Sequence, residues 1–207
     1  MNNSIKDTVY QELRRRIIFC EIMPGSIIEE KTLTEEFKIS RTPIREALNS
    51  LAQEGLVVVY PRRAITASPI TVRDIDNLFE VRELLEPYIV RQVIHHIDNR
   101  VLVQMVNNMK DTDDAVTLAT KDNEFHDYLS SACQNHVMVN MLLSVRSQTQ
   151  RMRVAMGRQA ERVEETRMEH QAITDAIQNG DPDVAETAMR KHLETAKLTV
   201  MGLYHPV

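Results

Sequence analysis

Apolar residues near the start of the chain recur at helical spacing. Val9, Leu13, Ile17 and Ile18 predict a helix over roughly Ile5 to Phe19, and Met23-Pro24-Gly25 stops it. Leu33 and Phe37, four apart, predict a second short helix over Lys31 to Phe37, followed by a turn at Lys38-Ile39. A third helix starts at Ser40, a good N-cap residue, and tolerates Pro43 in its first turn. It directs Ile44, Leu48 and Leu51 inward and ends at Gly55. Leu56 to Tyr60 and Ala64 to Ala67 then read as two short strands joined by Pro61-Arg62-Arg63. Three helices followed by a hairpin is the order of a winged helix-turn-helix.

From residue 72 the pattern changes. Thr71 and Asp74 form a capping box that opens a new helix, which makes Ala67-Ser68-Pro69 part of a linker. The boundaries that follow are a winged helix-turn-helix domain over 1–67, a linker over 68–71 and a helical domain over 72–207. Six helical segments are expected in the last: Val72 to His96 (bent near Pro87), Val101 to Asp111, Val116 to Cys133, Val137 to Met156, Glu161 to Asn179, and Asp183 to Leu203. Gly180-Asp181-Pro182 marks one junction, with glycine past one helix, aspartate as N-cap and proline at the first position of the next. The expected fold is mainly α: an N-terminal winged helix-turn-helix with a short β-hairpin, then an all-α antiparallel helical bundle.

Composition agrees with that reading. Of 207 residues, 43% are hydrophobic and 27% charged, while 5 glycines and 7 prolines are few, which fits a soluble helical protein rather than a sheet or a disordered chain. Apolar runs such as Leu56 to Val59 fall far short of the roughly 18 to 20 residues a membrane helix needs, and the N-terminus lacks a signal-peptide pattern. A cytoplasmic location, with no membrane partner, is expected. Cys20 and Cys133 are the only cysteines, too few for a disulfide framework or a thiolate cage, and read as small apolar fillers.

The net charge of −5 would argue against nucleic acid until it is divided along the chain. Up to position 66 there are ten basic and nine acidic residues; beyond it there are fifteen and twenty-one. Arg14, Arg15, Arg16, Lys31, Lys38, Arg41, Arg45, Arg62 and Arg63 could still line one face. In a helix-turn-helix the second helix enters the major groove, and Ser40-Arg41-Thr42-Pro43-Ile44-Arg45 supplies the chemistry. Arg41 and Arg45 can each donate two hydrogen bonds to guanine, while Ser40 and Thr42 reach phosphates or bases. Lys31 suits the DNA backbone, and Arg62 and Arg63 at the hairpin tip suit phosphate or minor groove. The plainer alternative pairs Arg45 with Glu46 or Glu54 on a solvated surface.

In the second domain Asp122 and His126 lie four apart on one helix, on the side of Phe125, Leu129 and Cys133. His170 precedes Ile173 and Ile177 on another apolar stripe, and His192 falls on the stripe of Ala185, Ala188, Met189 and Ala196. Each buried polar group needs a partner. One divalent metal would satisfy all four, and their nitrogen and oxygen donors suit zinc first, with nickel, manganese or iron as alternatives. Structural histidines satisfied within the core are the competing reading. An enzyme is not expected, because Glu169, the one nearby carboxylate, is turned about 100° from His170 around its helix. His95, His96, His136 and His205 match no ligand position, and the eleven methionines read as core fillers.

The N-terminal residues resemble the GntR superfamily of bacterial transcription regulators. The resemblance rests on Pro24-Gly25-Ser26, Glu30-Lys31 with Leu33-Thr34, Ser40 through Leu48, Leu51, Glu54-Gly55-Leu56 and Pro61-Arg62-Arg63. It implies that Arg41 and Arg45 read bases, that Lys31 contacts DNA and that the wing approaches the minor groove. Ala64 departs from the glycine usual after the wing arginines. The C-terminal residues resemble the FadR-type ligand-binding bundle, the FCD domain, through Val81 to Pro87, Asp122, Phe125-His126, Glu169-His170, Gly180-Asp181, Ala185, Met189 and His192-Leu193. That resemblance implies Asp122, His126, His170 and His192 as metal ligands and a small carboxylate effector. It also implies that Arg82 contacts the effector, although an intrahelical pair with Glu86 is its alternative; Arg146 and Arg153 are further pocket candidates. The combined reading is an effector-responsive regulator, in the main a repressor, binding double-stranded palindromic operator DNA as a homodimer.

Overall fold

The computed structural model describes residues 5–60, 64–109, 115–156 and 163–204. The chain divides into two compact units, Met1–Thr71 and Val72–Val207.

The first unit contains α1 (Ile5–Ile18), α2 (Glu30–Phe37), α3 (Arg41–Gln53), β1 (Val57–Val59) and β2 (Ile65–Ala67). Val9, Leu13 and Ile17 of α1 and Ile44, Leu48 and Leu51 of α3 form its core with Leu33, Leu56, Val57 and Ala67. Burying such side chains contributes roughly 1.5–3 kcal/mol each, which is what closes these short helices onto one another. Lys38 takes a left-handed φ of 54° at the end of α2 and gives the tight turn into α3. Ser40 stands at the N-cap of α3 with extended backbone, but its hydroxyl makes no capping bond, so the hydroxyl is not committed to the helix.

The strands pair antiparallel, Val57 with Ala67, Val58 with Thr66 and Val59 with Ile65. Sequence periodicity misses a third partner: the backbone of 25–28 lies along β2, with Ile28 N–H donating to Ile65 at 2.8 Å and Ala67 N–H donating to Ser26 at 3.0 Å. The Ala64 carbonyl accepts from the Tyr60 N–H at 2.9 Å, which closes the described part of the hairpin. Arg62 and Arg63 lie outside the described residues.

The second unit is a helical bundle: α4 (Val72–Val93), α5 (Asn99–Asn108), α6 (Ala115–Ser131), α7 (His136–Met156), α8 (Val163–Gln178) and α9 (Pro182–Tyr204). Phe125 and Leu129 of α6 meet Leu102 and Val106 of α5, Ile173 and Ile177 of α8, and Met189 and Leu193 of α9. Cys133 packs with Ile89, Val93 and Leu142 in a smaller core between α4 and α7. Gly180 has a φ of +67°, and the Asp181 carboxylate accepts from the N–H groups of Asp183 and Val184, both at 3.1 Å.

Helix α4 ends at Val93, three residues before the expected His96, and runs through Pro87. Proline has no N–H to offer the carbonyl four residues back. Arg190 of α9 supplies the missing donor, its Nη1 lying 3.1 Å from the Glu83 carbonyl.

Candidate metal centre and nucleic-acid interface

Helix α3 turns Ile44, Ala47, Leu48 and Leu51 into the core. This leaves Arg41, Thr42 and Arg45 on the exposed face with Ser40 beside them. Lys31 is exposed near the start of α2, 3.8 Å from Glu35. Arg45 pairs neither with Glu46 nor with Glu54; its Nε contacts Glu30 at 2.8 Å. Glu54 instead meets Tyr10 and Arg14, and this lifts the Tyr10 hydroxyl to about pKa 12 through burial and the adjacent carboxylate. The α1 arginines do not join a basic face. Arg15 pairs with Glu12 and Glu21, and Arg16 with Glu12 and Glu36, because carboxylates sit one turn before them and on the neighbouring segments.

In the bundle, three helices converge on one point. Asp122 and His126 come from α6, His170 from α8 and His192 from α9, all essentially inaccessible to solvent, with one ligating atom of each within 4.8 Å of the others. His126 Nε2 and His192 Nε2 are 3.1 Å apart; Asp122 Oδ1 lies 3.5 Å from His170 Nε2 and 3.9 Å from His192 Nε2. Ligand bonds of roughly 2.0–2.1 Å in tetrahedral geometry put donor atoms about 3.4 Å apart. The spacing fits.

The outer nitrogens are equally informative. His126 Nδ1 lies 2.6 Å from Glu86, and His192 Nδ1 lies 2.8 Å from Glu169. The Glu169 carboxylate can accept a proton held on His192 Nδ1, which leaves a lone pair on His192 Nε2; Glu86 beside His126 Nδ1 favours the same tautomer electrostatically, though that contact lacks hydrogen-bond geometry. Two lone pairs facing each other at 3.1 Å repel unless a cation lies between them. The arrangement is that of ligands held ready for a metal, and these residues fit one.

Glu169 corrects the expectation that its side chain is aimed away from the site. Helices α8 and α9 form a hairpin, so two α8 positions about 100° apart can flank α9, His170 reaching the centre and Glu169 the outside of His192. Glu86, which the sequence reading treats only as the partner of Arg82, lies on the same buried stripe of α4 as Phe79, Ile89, Val90 and Val93, and a charged residue interrupting that stripe is the signal that could have found it.

Burial pushes His126 down to about pKa 4 against the opposing pull of Glu86, and drives His170 well below the usual histidine range. Burial would raise Asp122, but Arg153 beside it holds its carboxyl well below the ordinary range. His126 and His170 are therefore neutral near pH 7, the form that binds metals. The unfolded chain takes up these protons near pH 6.5 while the folded chain does not, so metal-free protein loses stability as pH falls from about 6.5 towards 4. For His126 this is on the order of 1 kcal/mol at about pH 5.5. Thermal melts of chelator-treated protein near pH 7.5 and 5.5 check it, and His126→Gln should narrow the difference between them.

The three effector candidates are placed differently. Arg153 pairs with Asp122 and lines a cavity beside the cluster with Thr166, Glu169, His192 and Thr199. Arg82 is fully buried, pairs with Glu86 at 2.6 Å and has no hydrogen-bond partner on either Nη. The intrahelical pair and a spare guanidinium edge thus coexist. Arg146 holds α7 to α6 through the His126 carbonyl at 3.2 Å, Ser130 at 2.9 Å and Asp127 at 2.7 Å.

The sequence signature described as "Bacterial regulatory proteins, gntR family" matches residues 5–66, and that of the FCD domain matches residues 77–195, more than half the chain. The chain belongs to the GntR family. It is a regulator of the FadR type, with an N-terminal GntR helix-turn-helix and a C-terminal FCD domain, and is not an enzyme. The HTH-type transcriptional repressor RspR of Escherichia coli (strain K12) is 27% identical over 199 residues, 92% of this chain and 86% of its own. The gluconate operon transcriptional repressor of Bacillus subtilis (strain 168) is 30% identical over 141 residues, 65% of this chain and 57% of its own. A GntR transcriptional regulator from Rhodococcus sp. RHA1 superimposes with a TM-score of 0.85 at 22% identity, over 98% of this chain and 100% of that one. McbR/YncC of E. coli does so with a TM-score of 0.81 at 16% identity, over the same shares. Among the described residues of this GntR regulator, no helix is long and apolar enough to cross a membrane.

Proposed function

We propose that this regulator binds a palindromic operator as a homodimer and represses transcription until a small organic acid, sensed through a metal ion in its FCD domain, changes its grip on DNA. On this reading residues 1–67 bind DNA, 68–71 link, and 72–207 sense and dimerise. Lys31, Ser40, Arg41, Thr42, Arg45, Arg62 and Arg63 meet DNA, with half-sites about one helical turn or less apart, roughly 34 Å. Work on operator DNA places the protein in the cytoplasm. Its named repressor relatives support the sign.

One observation carries the sensor reading: the facing Nε2 atoms of His126 and His192, each backed by a carboxylate on Nδ1. Asp122, His126, His170 and His192 would hold the ion, zinc by preference, with nickel, manganese and iron compatible with the same donors. When bound, it supplies an electrophilic centre on which an acid's oxygen can rest. Charge balance supports an anionic effector. Arg82, Arg146 and Arg153 are matched by Glu86, Asp127 and Asp122, so a divalent ion leaves positive charge over even when Glu169 is counted. Arg153 lines the adjoining cavity, and Arg82 and Arg146 complete the set of carboxylate anchors.

Effector and operator must affect each other's affinity by the same factor. The test follows fluorescence anisotropy of a selected operator duplex with zinc-loaded protein while small mono- and dicarboxylic acids are titrated in. At least one acid should weaken binding fivefold or more, and chelation should remove its effect. Responses identical with and without metal would overturn the metal-sensing reading.

A further inference from the structure

Arg45 makes a contact that base reading alone does not require. Its side chain on α3 is 60% exposed, yet Nε is aimed at both carboxylate oxygens of Glu30, at 2.8 and 3.0 Å. Glu30 opens α2, fifteen residues earlier, and its side chain is only 22% exposed, so the acid is the more buried partner and the arginine reaches across to it. The contact ties together the two helices of the helix-turn-helix. Its neighbour Lys31 is engaged elsewhere, 3.8 Å from Glu35.

A carboxylate on the side of the unit that approaches DNA repels phosphates, and an exposed ion pair adds little to stability. The geometry offers a different use. Arginine has a long, freely rotating stem, and two parallel hydrogen bonds to guanine O6 and N7 need the guanidinium held in the plane of the base. Glu30 takes the Nε donor, and no described residue bonds the Nη1–Nη2 edge, which is left to face outward. Arg41, on the same face, has no hydrogen-bond or ion-pair partner among the described residues.

We propose that Glu30 is a positioning residue for base recognition, fixing the plane of the Arg45 guanidinium so that its free edge selects guanine. This rests on the reading that α3 enters the major groove. The carboxylate lowers affinity for DNA in general and raises discrimination at one base pair of each half-site.

The experiment uses the full chain and a pool of random double-stranded oligonucleotides. Wild type, Glu30→Ala, Glu30→Gln and Arg45→Ala are each allowed to select from the pool, and the bound fractions are sequenced. Wild type should enrich a two-fold symmetric motif with guanine at a pair of positions that Arg45→Ala loses. Glu30→Ala should lower the guanine preference at that same pair about tenfold, leave the other positions as they were and bind the unselected pool no more weakly than wild type. Glu30→Gln keeps an acceptor oxygen and should recover most of the preference. An unchanged guanine preference in Glu30→Ala overturns the proposal, and so does a loss spread evenly over every position, which would mark a merely structural pair. A wild-type chain that enriches no motif overturns the DNA reading itself, a result distinct from either.

Discussion

Alanine at Arg41 or at Arg45 is expected to cut discrimination between operator and scrambled duplex by about 30-fold or more while leaving the thermal midpoint almost unmoved. Both side chains are exposed on α3, so neither supports the core that Ile44, Leu48 and Leu51 form beneath them. Removing Arg45 breaks the Glu30 pair, but a solvent-exposed pair of this kind contributes little to stability. A good bidentate contact discriminates against the wrong base by roughly 1–3 kcal/mol, and a dimer loses two at once, about 30-fold to 10⁴-fold in all. Lys31→Ala makes the contrasting control, since losing a backbone contact weakens both duplexes alike and lowers the salt dependence. Anisotropy with the two duplexes reads the effect directly. Discrimination as strong as that of wild type in both arginine mutants would remove α3 as the reading helix.

The second large effect is expected at His170. Its ring is fully buried and stacks on Phe125 with centroids 4.3 Å apart and planes 12° from parallel; Nδ1 lies 3.1 Å from the Met109 sulfur. Nε2, which faces Asp122, has no hydrogen-bond partner. Alanine there removes one of the four proposed ligands and opens a cavity among Phe125, Met109 and the other two histidines. Truncating a large buried side chain costs on the order of 2–5 kcal/mol, and loss of the ion adds to this whatever the bound metal contributes. The two parts separate experimentally. Melts of wild type with and without chelator give the metal's share, and chelated wild type against chelated His170→Ala gives the packing share. Elemental analysis should find His170→Ala depleted of the ion that wild type retains, and equal metal content in the two would show that His170 is not a ligand.

How much of this was legible in the sequence depended on what kind of signal each residue gives. His126, His170 and His192 were readable because each interrupts an apolar stripe, and an apolar stripe must face the core. That the three stripes meet at one point followed only from the packed bundle. The supporting carboxylates were harder. Glu86 lies on the buried stripe of Phe79, Ile89, Val90 and Val93, but Arg82 one turn before it offers a partner within the same helix and hides its second role, and Glu169 sits one position off its helix's stripe, where single-helix geometry points it away from the site. Both are recruited by a neighbouring helix, and periodicity within one helix carries no information about its neighbours. Arg45 shows the same limit. The candidate partners were sought within its own helix, at Glu46 and Glu54, whereas Glu30 reaches it from α2. Backbone pairing without alternation is also silent: 25–28 runs beside β2 with no pattern to announce it. Helix ends shifted for local reasons, as where Asp98 caps α5 by accepting from the Arg100 N–H at 2.9 Å and so starts that helix at Asn99 rather than Val101.

The central claim is that the Asp122, His126, His170 and His192 cluster is a metal site in a dimeric regulator. Native mass spectrometry of protein purified without a metal-affinity tag, compared with its denatured mass, tests it most directly. The expected result is a dimer carrying one divalent ion per chain, with or without a small acidic adduct. A metal-free dimer that also fails to take up added zinc or nickel stoichiometrically would contradict it, and would make the three histidines structural members of the core.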